Sequence, residues 1–177
     1  MTGMIVKSTV SAITDKFLGS KHERRLRAPF FILAQTFRWL APSEERAALA
    51  NGRNFAMNAC PIQVPGDTVE LWDIRNAEKS MPHPTHLHGF LFQVVTRRDS
   101  PNQDQKLAQA SNAHLVTSLG SKYTTLVRPA EAVPIAIDLS HAVFRDQQYL
   151  FHYHNLEHEH AGTMVNCRVT AADSLAA

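Results

Sequence analysis

The chain has 177 residues, a formal net charge of +2 and 44% hydrophobic residues, which suits one globular domain with its own core. So balanced a charge leaves no electrostatic footprint for nucleic acid, and no apolar run reaches membrane-spanning length. The one basic cluster, Lys21, Arg24, Arg25 and Arg27, reads as a solvated segment. Residues 1–26 are weakly patterned and are expected to be peripheral, without the sustained apolar region of a secretory signal. Taken as complete, the chain would stay in the cytoplasm; as part of a longer exported protein it would be periplasmic or secreted. From residue 27 onward, short apolar or alternating runs recur at 30–35, 68–75, 90–97, 124–127, 133–138, 148–153 and 163–170. Asn51-Gly52, Pro65-Gly66-Asp67, Ser100-Pro101-Asn102 and Arg128-Pro129 separate them. Many short strands with such punctuation predict an antiparallel sandwich or barrel. Residues 43–50 are expected to form a helical turn or two, and 97–121 a long polar loop. Cys60 and Cys167 lack any CxxC spacing; two buried free thiols are expected, a single disulfide being the alternative.

Seven of the ten histidines fall in two runs: His83-Pro84-Thr85-His86-Leu87-His88-Gly89, and 152–160, which reads His-Tyr-His-Asn-Leu-Glu-His-Glu-His. Imidazole is the commonest side-chain ligand for copper, zinc and iron. On a strand, residues i and i+2 share a face, so His86 and His88 project together, as do His152 and His154. Tyr153 must point the other way. A solvated histidine-rich surface is the competing view, but Phe90-Leu91-Phe92 follows one run and Tyr149-Leu150-Phe151 precedes the other. Convergent ligands explain imidazoles beside such strands better. His22, His114 and His141 are isolated and read as structural.

The two runs resemble the copper motifs of the last domain of multicopper oxidases, the group of laccases, bilirubin oxidases and cuprous oxidases. The family patterns are approximately HPxHxHG and HCHxxxHxxxG(M/L). Asn51-Gly52-Arg53-Asn54-Phe55, the segment 66–72, Leu126-Val127-Arg128-Pro129 and 151–155 are also similar, so the resemblance spans about residues 27 to 170. It implies an all-β, cupredoxin-like Greek-key β-sandwich over 27–172, with a tail at 173–177, and copper as cofactor. The implied reaction is oxidation of small substrates coupled to reduction of dioxygen to water. By the same resemblance His83 and His158 would hold a type 1 copper, His86 a type 2 copper, and His88, His152 and His154 type 3 coppers. Glu159 matches an acid that relays protons in some members.

Three departures from the family pattern bear on function. Tyr153 stands where the family has the cysteine whose thiolate completes a His2Cys blue-copper site; a ring filling the vacated pocket is favoured over phenolate ligation. Thr163 stands at the weak axial position, and Met164, one place later, should face the opposite side. Tyr123, Ala130 and His160 replace a common Asp, turn Gly and acid. The third departure is architectural: a trinuclear cluster takes eight histidines, four from each of two domains, and this chain supplies one share. A second cupredoxin domain or a homo-oligomer would complete it. The isolated chain is accordingly expected to be inactive, and the alternatives are a non-catalytic metal-binding module or one subunit of an interface-assembled oxidase.

Overall fold

A computed structural model describes the backbone of residues 32–40, 49–50 and 116 and, with side chains, residues 55–102, 104, 106, 117–139, 145–155 and 162–171. In chain order the strands are β1 (Ile32–Leu40), β2 (Leu49–Ala50), β3 (Ile62–Pro65), β4 (Val69–Asn76), β5 (His83–Leu87), β6 (Phe92–Val94), β7 (Ser121–Lys122), β8 (Thr124–Val127), β9 (Ala132–Asp138), β10 (Gln147–Tyr153) and β11 (Met164–Thr170). They form a six-stranded sheet, β2-β1-β4-β9-β6-β7, and a five-stranded sheet, β3-β11-β10-β5-β8. The expected two-sheet sandwich is therefore present. The pairs β1/β4 and β3/β11 are parallel; the others are antiparallel. Leu49 and Ala50 pair with β1, so the helical expectation gives way there to a strand; 43–48 lie outside the described residues, as do 1–26 and 173–177. No helix among the described residues is long and apolar enough to cross a membrane.

Period-two alternation generates the core. From the five-stranded sheet come Ile62, Val64, Leu87, Val127, Phe151, Tyr153, Val165, Cys167 and Val169; from the other come Trp72, Ile74, Val133, Ile135 and Ile137. Trp72 meets Phe151 edge-on across the gap, with ring centroids 5.3 Å apart. Both thiols are free, Cys167 buried and Cys60 half-buried. Burial pushes the Cys167 thiol up to about 12, with Cys60 and Glu70 adding to the rise.

Two polar devices fix the rim on which the histidine strands depend. Glu131 is wholly buried and accepts from Arg97, from Ser100 and from the Arg128 backbone N–H. Arg97 also donates to Thr125 and to the Leu126 carbonyl of β8. Asn76 donates to the carbonyls of Met81 and Val127. In the edge strand β8 the Leu126 and Val127 carbonyls are thus taken by side chains, which leaves them unavailable to another strand. Ala130 sits in the turn between Arg128 and Glu131 with φ +65°, the left-handed conformation that costs a non-glycine residue about 1 kcal/mol. This is why glycine suits the position.

Glu70 lies in the core with no exposed surface. Burial raises its carboxyl to about 7, and a hydrogen bond from the Trp72 indole only partly opposes the rise. Between the ordinary carboxylate range and about pH 7 the folded protein keeps a proton that the unfolded chain has released. Stability therefore falls as pH rises through that window, by on the order of 3 kcal/mol in full. Glu70→Gln should remove this fall and melt higher than the parent at pH 8 but not at pH 5. Matching pH profiles of melting temperature for the two proteins would contradict it.

Candidate metal centre

The antiparallel pairing of β5 with β10 sets His86 opposite His152. On β5, His83, Thr85 and Leu87 turn into the core, while Pro84 and His86 face out. On β10, Phe151 and Tyr153 turn inward, and His152 takes the other face. The chain bends after each strand, and two backbone bonds hold the next histidines in place: His88 N–H to the Leu150 carbonyl at 3.0 Å, and His154 N–H to the Pro84 carbonyl at 2.9 Å. Gly89, at φ +81°, lets the chain pass under Tyr149, whose ring would lie 2.3 Å from any Cβ there.

Four imidazoles consequently meet on one sheet face. Ring centroids are 4.9 Å apart for His86 and His88, 4.7 Å for His86 and His154, 4.8 Å for His152 and His154, and 5.1 Å for His88 and His152. The Nε2 atoms of His88 and His152 stand 3.0 Å apart. Candidate ligand atoms of His86, His152 and His154 lie within 4.8 Å of one another. Nitrogens each about 2.0 Å from one ion stand about 3–4 Å apart, so this donor set fits a metal with small rotations. Thr124 Oγ1 lies 2.7 Å from His86 Nδ1 and fixes that ring. Burial, chiefly, and then the neighbouring His154, His88 and His152 lower the His86 pKa. The neutral imidazole, the form that ligates, is thereby favoured.

The opposite face is closed. His83 is fully buried, and its ring stacks on Tyr153 with centroids 4.0 Å apart and planes 23° from parallel. Its Nε2 lies 2.7 Å from Ser80 Oγ. Tyr153 and Thr163 have no exposed surface either. Burial raises the Tyr153 phenol to about 12, against a hydrogen bond with Thr163, so by itself the group is a phenol at neutral pH. Met164 is half-exposed on the other side of β11, as alternation predicts. Among the described residues no cysteine contact with His83 is present, so these residues do not make up a His2Cys copper centre. His158, Glu159 and His160 lie outside the described residues, and so do His22, His114 and His141.

Sequence reasoning missed Ser80 and Thr124, the hydroxyls bonded to His83 and His86. Ser80 stands three residues before His83, a spacing too common to signal anything. Thr124 becomes visible only once the register of β5 against β8 is known.

The sequence profile of the family described as multicopper oxidase matches residues 31–173. A bilirubin oxidase of Albifimbria verrucaria is 32% identical over 111 residues, 62% of this chain and 18% of that protein. A multicopper oxidase of Staphylococcus aureus is 29% identical over 125 residues, 68% of this chain and 24% of that one. Among solved structures, the McoA multicopper oxidase of the hyperthermophile Aquifex aeolicus superposes with a TM-score of 0.66 at 30% identity, covering 81% of this chain and 31% of that one. The chain thus spans less than a third of the length of these relatives.

The closed inner pocket makes a stability test. Tyr153→Ala should leave a cavity beside His83 and cost about 3–5 kcal/mol. Tyr153→Phe keeps the ring and should cost under about 1.5 kcal/mol. Denaturant unfolding measures both. Equal losses would show that the hydroxyl, not the stacked ring, holds the pocket.

Proposed function

We propose, on the premise that the chain belongs to the multicopper oxidase family, that it is a cupredoxin domain contributing one domain's share of a copper centre, with its own type 1 pocket closed by Tyr153. The carrying observation is the division of histidines between two faces of one sheet. His86, His88, His152 and His154 converge on the outer face, whereas His83 is stacked and hydrogen-bonded within. Copper, the family's cofactor, supplies one-electron chemistry and an oxygen-binding centre when held.

In this reading the chain's residues position and exclude. Thr124 orients His86, and the backbone anchors at Leu150 and Pro84 aim His88 and His154. Of the proposed roles, His86 takes the type 2 copper and His88, His152 and His154 the type 3 coppers. His83 and His158 are what is left of a type 1 set, and Glu159 is a proton relay. Oxidation of a small substrate with reduction of dioxygen to water then needs four more histidines from a second cupredoxin domain or further copies of the chain. A second reading, a mononuclear metal-binding module without catalysis, is favoured by the three histidines whose ligand atoms already lie within 4.8 Å in a single chain.

Copper-loaded protein should bind one divalent copper at the outer face in preference to zinc, and release it on acidification through the imidazole range, because only neutral nitrogens ligate. Equilibrium dialysis should show the stoichiometry lost in the His86→Ala, His154→Ala double variant. Unchanged stoichiometry would place the metal elsewhere.

The protein should lack the intense thiolate-to-copper band, since Tyr153 supplies no thiolate. Tyr153→Cys combined with Thr163→Met should restore blue colour through His83, His158 and the two introduced sulfurs, without oxygen uptake. A blue parent protein would contradict the closed pocket. Oxygen uptake coupled to phenol oxidation by the homogeneous parent would contradict the need for a partner.

A further inference from the structure

Strand β5 lies between β10 and β8 in the five-stranded sheet, and the register sets His86 opposite His152 on one side and opposite Thr124 on the other. Directly opposed residues of antiparallel strands share a face, with Cβ atoms about 5 Å apart. His86 therefore stands between the β10 histidines and a hydroxyl. Its Nδ1 is the atom that meets Thr124 Oγ1, at 2.7 Å, so that nitrogen is turned toward β8. The two nitrogens of an imidazole point well apart, and the bond made by one decides what the other presents. Nε2 is thus left to the side of His152 and His154, whose ring centroids are 5.5 and 4.7 Å from that of His86.

The hydroxyl is held in place by its own strand. Thr125 and the Leu126 carbonyl, next along β8, both accept from Arg97, which the buried Glu131 anchors. A β-branched side chain is stiff at χ1, which fixes the direction of Oγ1. A neutral imidazole that gives Nε2 to a metal keeps its one proton on Nδ1, and Thr124 Oγ1 is placed to accept it. His88 and His152 differ: they meet through Nε2 atoms 3.0 Å apart, a contact that an ion bound at either atom displaces. The Thr124 contact is on the far nitrogen of its ring and persists with an ion in place. We infer that Thr124 is a positioning residue for the outer-face site, its hydroxyl presenting His86 through Nε2 and thereby setting the affinity for copper. The inference rests on the proposed copper site at His86, His152 and His154. It adds the atom through which His86 binds and the group that selects it.

The test uses the full chain. Thr124→Val removes the hydroxyl and keeps the branched shape at an exposed position; Thr124→Ser keeps the hydroxyl. In equilibrium dialysis with the cupric ion, Thr124→Val should weaken binding about tenfold or more, and Thr124→Ser should recover most of that loss. Heteronuclear NMR of the nitrogen-labelled protein loaded with zinc, a diamagnetic ion that imidazole also ligates, should show His86 bound through Nε2 with its proton on Nδ1. The ring is assigned by its absence from His86→Ala, and in Thr124→Val its Nδ1 proton should exchange faster with solvent. Ligation of His86 through Nδ1, unchanged copper affinity in Thr124→Val, or a loss that Thr124→Ser shares in full would overturn the role of Thr124 while the histidine site stood. Absence of copper binding by the parent protein, or binding that persists in the His86→Ala, His154→Ala variant, would overturn the histidine site itself and the inference with it.

Discussion

The antiparallel register that sets His86 opposite His152 decides what every neighbouring residue can do. A slip of one residue would carry His86 to the core side and bring Leu87 to the surface. The register is therefore held by the apolar partners as much as by the histidines: Leu87 and Phe151, themselves paired, are buried in the sandwich. Hydrophobic burial at these inward positions fixes the outward ones, and the contact between His88 and His152 is a consequence of that placement. Of these rings His86 has its pKa lowered, chiefly by burial and then by its histidine neighbours, so packing on the inward side holds together a face that disfavours charge there.

The same alternation isolates the two halves of the histidine set. Tyr153 lies between two outward-facing histidines, yet its ring is in the core against His83. A residue at this position belongs covalently to one site and sterically to the other. Here that position presents a phenol bonded to Thr163 and a ring stacked on His83. Hydrogen bonds tie the rest of the frame. Glu131 and Arg97 close the edge beside β8, Asn76 ties β4 to the segments before β5 and at the end of β8, and Asn166 clamps three carbonyls of the segment leading into β3.

Much of this was legible in the sequence. Residues 124–127 coincide with β8, and β4, β9, β10 and β11 each lie within a residue or so of an alternating run, because half-buried strands write period two into their composition. The inward turn of Tyr153 followed from counting. The shorter strands were not legible. β2 and β7 have two residues each, too few to carry a period, and β3, with its terminal Pro65, reads as punctuation. β6 is shorter than its apolar run because Gly89 and the ring of Tyr149 govern how the chain enters it. What sequence could not supply was register. The contacts of Thr124 with His86 and the opposition of Met164 to His152 depend on which strands lie side by side, and neither has a local signature.

The connectivity of the five-stranded sheet has a kinetic side. Its order, β3-β11-β10-β5-β8, joins strands distant along the chain: His88 meets His152 across 64 positions, and Asn166 reaches Ala56 across 110. Such long loops must close before any of the contacts can repay their entropy, which slows folding. The convergent histidine face depends on these long-range pairings. The unfolded chain carries the same imidazoles without their convergence, so an ion that needs several of them together binds the closed sheet more tightly. Metal availability then governs how long the completed fold persists, by mass action, and not how quickly it is reached.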